Sequence, residues 1–133
     1  MRKELLQKLL ERFPYIQNKE NIGLQWGSDV DCNDGWFELL YTLLEKIEAI
    51  YKEQGKSIED FEIHQIKEKY GGLRFYASSN ISEVNKLIDE YENLSETICE
   101  DCGRAGSLHK NKNGYLLTLC EECASKECFV KCK

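Results

Sequence analysis

The sequence lacks any apolar run of the roughly 18–20 residues that a helix needs to span a bilayer, because charged residues interrupt each hydrophobic stretch. The first ten residues also carry charges among their leucines, so they are not expected to act as a secretory signal. Basic charge is scarce: 18 lysines and arginines face 24 acidic residues, which gives a formal net charge of −6. We therefore expect a cytoplasmic protein that enters no membrane and does not bind long duplex nucleic acid.

Familiar catalytic motifs are missing as well. The sequence contains no P-loop, G-x-S-x-G or G-x-G-x-x-G pattern. The zinc-deaminase signature fails because Ile66 stands where His64 would need a glutamate two residues later, and because Ile98 stands where a proline would precede the first C-x-x-C. His109 lacks the neighbouring acid and the second histidine that a metal-dependent nuclease would use. An enzyme is therefore the least favoured class.

Seven cysteines are present, and this odd number argues against a closed disulfide framework. Four of them form the C-x-x-C pairs Cys99/Cys102 and Cys120/Cys123, with 17 residues between the pairs. Each pair can place two thiolates on one side of a tight turn, and two pairs complete the tetrahedron that Zn²⁺ prefers. The spacing predicts a structural zinc ribbon; unpaired thiols or a redox pair are the alternative.

The remaining cysteines are not expected to carry chemistry. Cys128 and Cys132 follow the second pair but cannot close another tetrahedron, so we interpret them as surplus thiols in a tail. Cys32 lies among Asp29, Asp31 and Asp34, whose negative charges are expected to raise the pKa of its thiol. We therefore predict no catalytic role for Cys32.

Hydrophobic residues recur at helical spacing in three segments, which predicts helices over residues 2–13, over residues 35–54 and from residue 81 onward. Residues 14–34 are predicted to be irregular. Asp34 precedes the second helix and is predicted to be its N-cap, with Trp36 packed in the first turn.

Residues 61–78 alternate between apolar and polar side chains around Gly71-Gly72, which predicts a β-hairpin with a two-residue glycine turn. Tyr70 is expected to pair with Leu73. This pairing places one set of side chains on the first face: His64, Ile66, Tyr70, Leu73, Phe75 and Ala77. It places a second set on the opposite face: Gln65, Lys67, Lys69, Arg74 and Tyr76.

The second face has the residue types that bind anions. Lysine supplies a point charge, arginine a two-pronged donor for phosphate or carboxylate, and tyrosine a ring for stacking or a hydroxyl. Gly71 and Gly72 allow another group to approach the backbone closely. The alternative interpretation is a solvated sheet face whose cations pair with the acids of the third helix.

Three separated motifs carry a resemblance to a known family. They are Asp-Gly-Trp at a helix start, Ile-Lys-Glu-Lys-Tyr-Gly-Gly-Leu-Arg-Phe-Tyr, and the two cysteine pairs within Ile-Cys-Glu-Asp-Cys-Gly and Thr-Leu-Cys-Glu-Glu-Cys-Ala. Over residues 32–124 the chain resembles uncharacterised small zinc-ribbon proteins of bacteria and bacteriophages. The resemblance supplies no activity, and Cys128 and Cys132 depart from the family pattern. By analogy it suggests a protein that acts in the host cytoplasm against host defence.

The sequence therefore predicts an α+β fold, with helices packed on a central β-hairpin or small antiparallel sheet in residues 1–97 and a zinc ribbon with a tail in residues 98–133. We predict a non-catalytic binding protein for a phosphate-bearing ligand, such as a nucleotide or a nucleotide-derived signal. The alternative is a protein-interaction module that inhibits or regulates a host enzyme through its acidic surface. The predicted ligand-binding residues are Lys67, Lys69, Gly71, Gly72, Arg74, Tyr76, Asp34 and Trp36.

Overall fold

The computed structural model describes residues 1–17 and 30–132, and it has the mixed α+β architecture predicted above. Part of the predicted irregular segment, residues 18–29, lies outside the described residues. The described part contains four α-helices: α1 (Lys3–Arg12), α2 (Phe37–Glu53), α3 (Ser82–Ser95) and α4 (Glu121–Lys126). The first three lie within two residues of their predicted starts.

Within the described residues, six short strands form two sheets. The first sheet has the order β1-β2-β3 and consists of β1 (Val30–Asp31), β2 (Glu62–Lys69) and β3 (Gly72–Ser78). The second has the order β5-β4-β6 and consists of β4 (Ser107–Lys110), β5 (Leu116–Leu119) and β6 (Val130–Lys131). All pairings are antiparallel except that of β1, which runs parallel to β2 and lies in a segment predicted to be irregular.

One hydrophobic core holds α1, α2, α3 and the first sheet together. Helix α2 buries one face, which carries Leu39, Leu40, Leu43, Leu44, Ile47 and Tyr51, and it contacts both α1 and α3. The apolar side chains of β2 and β3 point into this core, whereas alternate residues of both strands point outward. The buried set from these elements is Leu9, Leu40, Leu43, Leu44, Ile47, Ile66, Leu73, Phe75, Val84, Ile88 and Tyr91.

The free edge of β3 is covered by α3. The backbone N–H of Leu73 donates to Ser95 Oγ at 2.9 Å, and that of Phe75 donates to Glu92 Oε2 at 2.8 Å. An unpaired strand edge would otherwise expose these donors to another chain. Two polar side chains of α3 thus satisfy N–H groups at the edge of β3, where a further strand would otherwise pair.

The hairpin register differs from the predicted one. Lys69 pairs with Gly72 and Glu68 with Leu73, so the turn consists of Tyr70-Gly71 rather than Gly71-Gly72. Both turn residues have positive φ, 54° and 84°, as the tight turns favoured in hairpins require. The slip amounts to two residues along β2, which returns the same side chains to the same faces.

Two residues assigned to the apolar face do not lie there. His64 occupies an irregularity in the pairing and is exposed, with Nε2 at 2.8 Å from Ser78 Oγ. Tyr70 projects from the turn and is 70% exposed. Both errors come from extending strict alternation through a bulge and a turn, where it does not hold.

Asp34 does not cap α2. A short 3-10 turn, Asp34–Trp36, precedes the helix, and Trp36 occupies the cap position without a side-chain hydrogen bond to the helix backbone. Asp34 Oδ1 instead accepts from the backbone N–H of Arg2 at 2.7 Å. The predicted cap is therefore wrong, because the extra turn moves the helix start two residues past the glycine.

Candidate functional site

The four predicted cysteines come together. The sulfur atoms of Cys99, Cys102, Cys120 and Cys123 all lie within 4.8 Å of one another, and this set could hold a metal ion. Cys102 Sγ and Cys120 Sγ are 3.6 Å apart. A tetrahedral Zn²⁺ with Zn–S bonds of about 2.3 Å would place its sulfur ligands about 3.8 Å from one another. The observed spacing therefore fits a four-thiolate metal site without a large rearrangement.

The first C-x-x-C forms a tight turn that aims both sulfur atoms in one direction. The N–H of Gly103 donates to the carbonyl of Cys99 at 2.9 Å, and the N–H of Cys99 donates to the carbonyl of Arg104 at 2.7 Å. Gly103 has a φ of 82°, a conformation that glycine adopts with little strain. The glycine after the knuckle is thus required by the turn that presents Cys99 and Cys102.

The second C-x-x-C lies at the start of α4. Cys120 occupies the N-cap position, and its Sγ accepts from the backbone N–H of Cys123 at 3.4 Å. This hydrogen bond is the main reason that the pKa of Cys120 falls from 9.0 to about 7. Burial instead raises the pKa of Cys99 and of Cys123, so the shifts within the cluster do not all favour the thiolate, the form that coordinates a metal.

The other three cysteines lie outside this cluster. Cys32 is 3% exposed, and burial, more than the charges of Glu100, Asp31 and Asp34, raises the pKa of its thiol to about 12. The predicted direction is confirmed, although burial rather than the acids is the largest cause. Cys128 is exposed and Cys132 half-buried, and neither belongs to a metal-binding group within the described residues.

The four-cysteine ribbon is joined to the rest of the fold through residues that precede α2. The N–H of Gly35 donates to the carbonyl of Glu100 at 2.6 Å, and the N–H of Asn33 donates to Glu100 Oε2 at 3.0 Å. A Cβ added at Gly35 would lie 2.1 Å from the carbonyl oxygen of Cys99. The Cys99–Cys102 turn therefore packs directly on the backbone of residues 33–35, so the contact crosses the predicted domain boundary after residue 97.

The ribbon also contacts the hairpin turn. Thr118 Oγ1 donates to the carbonyl oxygen of Gly71 at 2.6 Å, and both residues are buried. A Cβ added at Gly71 would lie 2.6 Å from Leu108 Cδ1. Gly71 thus meets the ribbon rather than an open surface, and its φ of 84° is a conformation that favours glycine.

The outer face of the hairpin carries a cluster that we call the cationic face: Lys67, Lys69 and Arg74, with Gln65 and Tyr76 beside them. Lys67 is directly opposite Arg74, and Gln65 is opposite Tyr76. Residues paired in this way share one side of a sheet. The structure thus places together the side chains that alternation predicted for the polar face.

None of these three cations forms an ion pair with another described residue. The ion pairs of the described part join Arg2 to Asp34, Arg12 to Glu48, and Arg104 and Lys126 to Glu122. Arg74 Nη1 donates only to the adjacent carbonyl of Leu73, at 3.2 Å. Among the described residues, the acids of α3 thus form no ion pair with this face, and Glu92, the α3 acid bonded to β3, accepts from a backbone N–H instead.

Two carboxylates border the cationic face. Asp31 on β1 pairs in register with Lys67. On the β3 side, Glu96 lies near Gly72 and Arg74. A Cβ built at Gly72 would be 3.6 Å from Glu96 Oε1 and 3.2 Å from Arg74 Nη1. Neither border could be predicted from the sequence, because local patterns do not place β1 or the end of α3 beside the hairpin.

The remaining predicted ligand-binding residues are occupied by internal contacts. Trp36 is fully buried, and its Nε1–H donates to the carbonyl of Ile98 at 2.9 Å. Asp34 is paired with Arg2, and Gly71 and Gly72 are buried. These four connect parts of the fold. The remaining candidates for ligand contact all lie on the cationic face: Lys69 and Tyr76 are exposed, and Lys67 and Arg74 are half-buried.

Comparison with protein-family models, with curated proteins and with solved structures finds no match to this chain. In the described residues, no helix combines the length and the hydrophobicity that crossing a bilayer would require. The resemblance to bacterial and bacteriophage zinc-ribbon proteins stays a prediction from the sequence. Function must be argued from the cysteine cluster and the cationic face.

Proposed function

We propose that the four cysteines bind one Zn²⁺ and that this ion has a structural role. Four thiolates at tetrahedral spacing match zinc chemistry, and they leave no open coordination position for substrate or water. The second hydrophobic cluster is small, consisting of Cys99, Leu119 and Ala124 with a few half-buried neighbours, so a metal would add stability that the ribbon core lacks.

Metal analysis by native mass spectrometry tests this proposal. The wild-type chain is expected to carry one zinc ion, Cys99→Ser is expected to lose it, and the matched control Cys32→Ser is expected to keep it. Zinc content that is unchanged in Cys99→Ser would refute the assignment.

We further propose that the protein binds a phosphate-bearing ligand, without catalysis, on the cationic face. The observation that carries this proposal is that three cations on one sheet face form no ion pair with another described residue, in a chain whose net charge is −6. Cations without acidic partners are available to bind anions, and arginine adds a two-pronged donor that suits phosphate. The exposed ring of Tyr76, next to Arg74 along β3, can stack on a base.

Calorimetry with a panel of nucleotides and with pyrophosphate tests the proposal. Arg74→Gln is expected to weaken binding by several-fold to a hundredfold, as the loss of a charged hydrogen bond would. The matched control is Lys86→Gln, which removes the same charge from an exposed position on α3. Equal affinities of these two variants for every probe that binds would refute the proposed site.

A host protein bound through the same face is the rival proposal, in which this chain inhibits or regulates an enzyme. It would be favoured if a protein co-purifies with the wild-type chain and is lost with Arg74→Gln, while no nucleotide binds. Interference with host defence and action in the host cytoplasm rest on the sequence resemblance.

A further inference from the structure

Two exposed tyrosines lie at opposite ends of the cationic face. Tyr76 is 43% exposed and pairs with Gln65 at one end, and Tyr70 is 70% exposed in the turn at the other. The ammonium group of Lys69 lies 5.5 Å from the centre of the Tyr70 ring, so this ring belongs to the same surface as the cations. Aromatic rings therefore bracket the cations along the hairpin.

The distance between the rings exceeds what one nucleotide would cover. The four residue steps from Tyr76 to Gly72 span about 13 Å of strand, and Tyr70 lies in the turn beyond. A single nucleotide stacked on Tyr76, with its phosphate at Arg74, would leave Lys69 and Tyr70 without a role. An extended ligand with several phosphates and bases would contact the whole row.

The bordering acids define the direction of such a ligand. Asp31 lies on the β1 side of Lys67, and Glu96 lies on the β3 side near Gly72. Both carboxylates repel a phosphate chain that crosses the sheet from strand to strand. The favourable path therefore runs parallel to the strands, between these acids and from one tyrosine to the other.

We infer that the cationic face binds single-stranded nucleic acid along the hairpin, with bases stacked on Tyr76 and Tyr70 and phosphates held by Lys67, Lys69 and Arg74. This inference rests on the proposed function and names its ligand. Unpaired bases can stack on exposed rings regardless of sequence, and sheet faces serve other proteins in this way. A duplex keeps its bases stacked on one another, so the tyrosines would gain nothing from it.

Fluorescence anisotropy with labelled oligothymidylates of 2 to 12 nucleotides tests the inference, using the full zinc-loaded chain and thymidine monophosphate as competitor. Affinity is expected to rise with length and to level off once about four nucleotides or more are bound. Three phosphate contacts predict a slope of about −2 in log affinity against log salt, and so a roughly twentyfold loss between 50 and 200 mM. Arg74→Gln is expected to reduce the magnitude of this slope by about 0.7.

Aromatic variants separate stacking from charge. Tyr76→Leu is expected to weaken a 12-nucleotide strand by roughly five- to a hundredfold, whereas Tyr76→Phe retains the ring and the affinity. The matched control is Tyr115→Leu, which removes a 58% exposed ring from the ribbon loop and is expected to change nothing. Asp31→Asn is expected to raise affinity severalfold, because it removes a carboxylate in register with Lys67.

The outcomes distinguish this inference from the proposed function. The inference is overturned if any of three probes binds as tightly as the 12-nucleotide strand: the monophosphate, a 12-base-pair duplex or polyglutamate. Anion binding at this face would still stand. If Tyr76→Leu has no effect on any strand, the stacking role is overturned. If no phosphate-bearing probe binds, both the inference and the proposed function fail.

Discussion

Gly35→Ala tests how closely the four-cysteine ribbon packs on the segment before α2. The new Cβ would lie 2.1 Å from the carbonyl oxygen of Cys99 and 2.5 Å from the carbonyl carbon and oxygen of Glu100. All of these are backbone atoms, so no flexible side chain can move aside. Relief of the clash requires the ribbon and residue 35 to separate by about 1 Å, because ordinary contact begins near 3.4 Å.

The cost follows from the two hydrogen bonds that this separation would break. One joins the Gly35 N–H to the Glu100 carbonyl at 2.6 Å and is worth about 0.5–1.5 kcal/mol. The other joins the Asn33 N–H to Glu100 Oε2 at 3.0 Å and is worth about 0.5–3 kcal/mol, because burial raises the pKa of this carboxyl to about 7 and leaves it only partly charged at neutral pH. We therefore expect Gly35→Ala to lower the free energy of unfolding by about 1–4 kcal/mol, and the melting temperature by roughly 3–20 °C.

Chemical denaturation with metal analysis is the assay. The control is Gly55→Ala: its Cβ meets nothing within 4 Å, and its φ of 67° alone predicts a loss of about 1 kcal/mol. Zinc content is expected to stay unchanged in both variants, because the four sulfur ligands and the bonds from Gly103 N–H to the Cys99 carbonyl and from Cys99 N–H to the Arg104 carbonyl involve other residues. A Gly35→Ala protein within 1 kcal/mol of wild type would refute the described joint.

Three further predictions concern single contacts. Thr118→Val removes the buried hydroxyl that donates to the Gly71 carbonyl and is expected to cost about 1–3 kcal/mol in denaturant unfolding, with Thr118→Ser restoring part of it. Trp36→Phe keeps a buried ring but leaves the Ile98 carbonyl without its donor, and is expected to cost a similar amount in the same assay. Cys32 has its pKa raised by burial from 9.0 to about 12. Its neutral thiol therefore stabilises the fold fully below pH 9, and this contribution falls by about 1 kcal/mol per pH unit as the pH rises toward 12. Unfolding measured at pH 8, 10 and 11 should show a stability difference between wild type and Cys32→Ser that shrinks with pH; a constant difference would contradict the assignment.

The faces of the hairpin could be predicted although its register could not. A slip of two residues leaves each side chain on its own face, because the alternation of a strand has a period of two. Lys67 therefore shares a face with Arg74 in either register. The turn itself is decided by which two residues adopt positive φ, and Tyr70 rather than Gly72 does so beside Gly71.

The cysteine cluster could be predicted from spacing alone, because two C-x-x-C turns bring four sulfur atoms together locally. The two-residue strand β1 could not, since Val30 and Asp31 form it only by pairing with Ile66 and Lys67, far away in the sequence. The Asp34 cap failed for a related reason. Its carboxylate is taken by the distant backbone of Arg2, which no local pattern indicates.

The motif around the two glycines contains residues with separate physical tasks. Gly71 forms the turn, and its carbonyl oxygen accepts a hydrogen bond from Thr118 of the ribbon. The Arg74 guanidinium lies next to Gly72, where another residue would have its Cβ.

Because Thr118 of the ribbon binds the turn directly, loss of a bound metal ion would remove a support from the end of the hairpin that carries Tyr70. The cations further along the strands are held by the sheet and by α3 instead. Zinc removal is therefore expected to weaken strand binding through Tyr70 more than through Arg74, so the affinity of a long oligonucleotide should fall while that of pyrophosphate changes little. Equal losses for both probes on chelation would show that the whole sheet, and not the turn alone, depends on the ribbon.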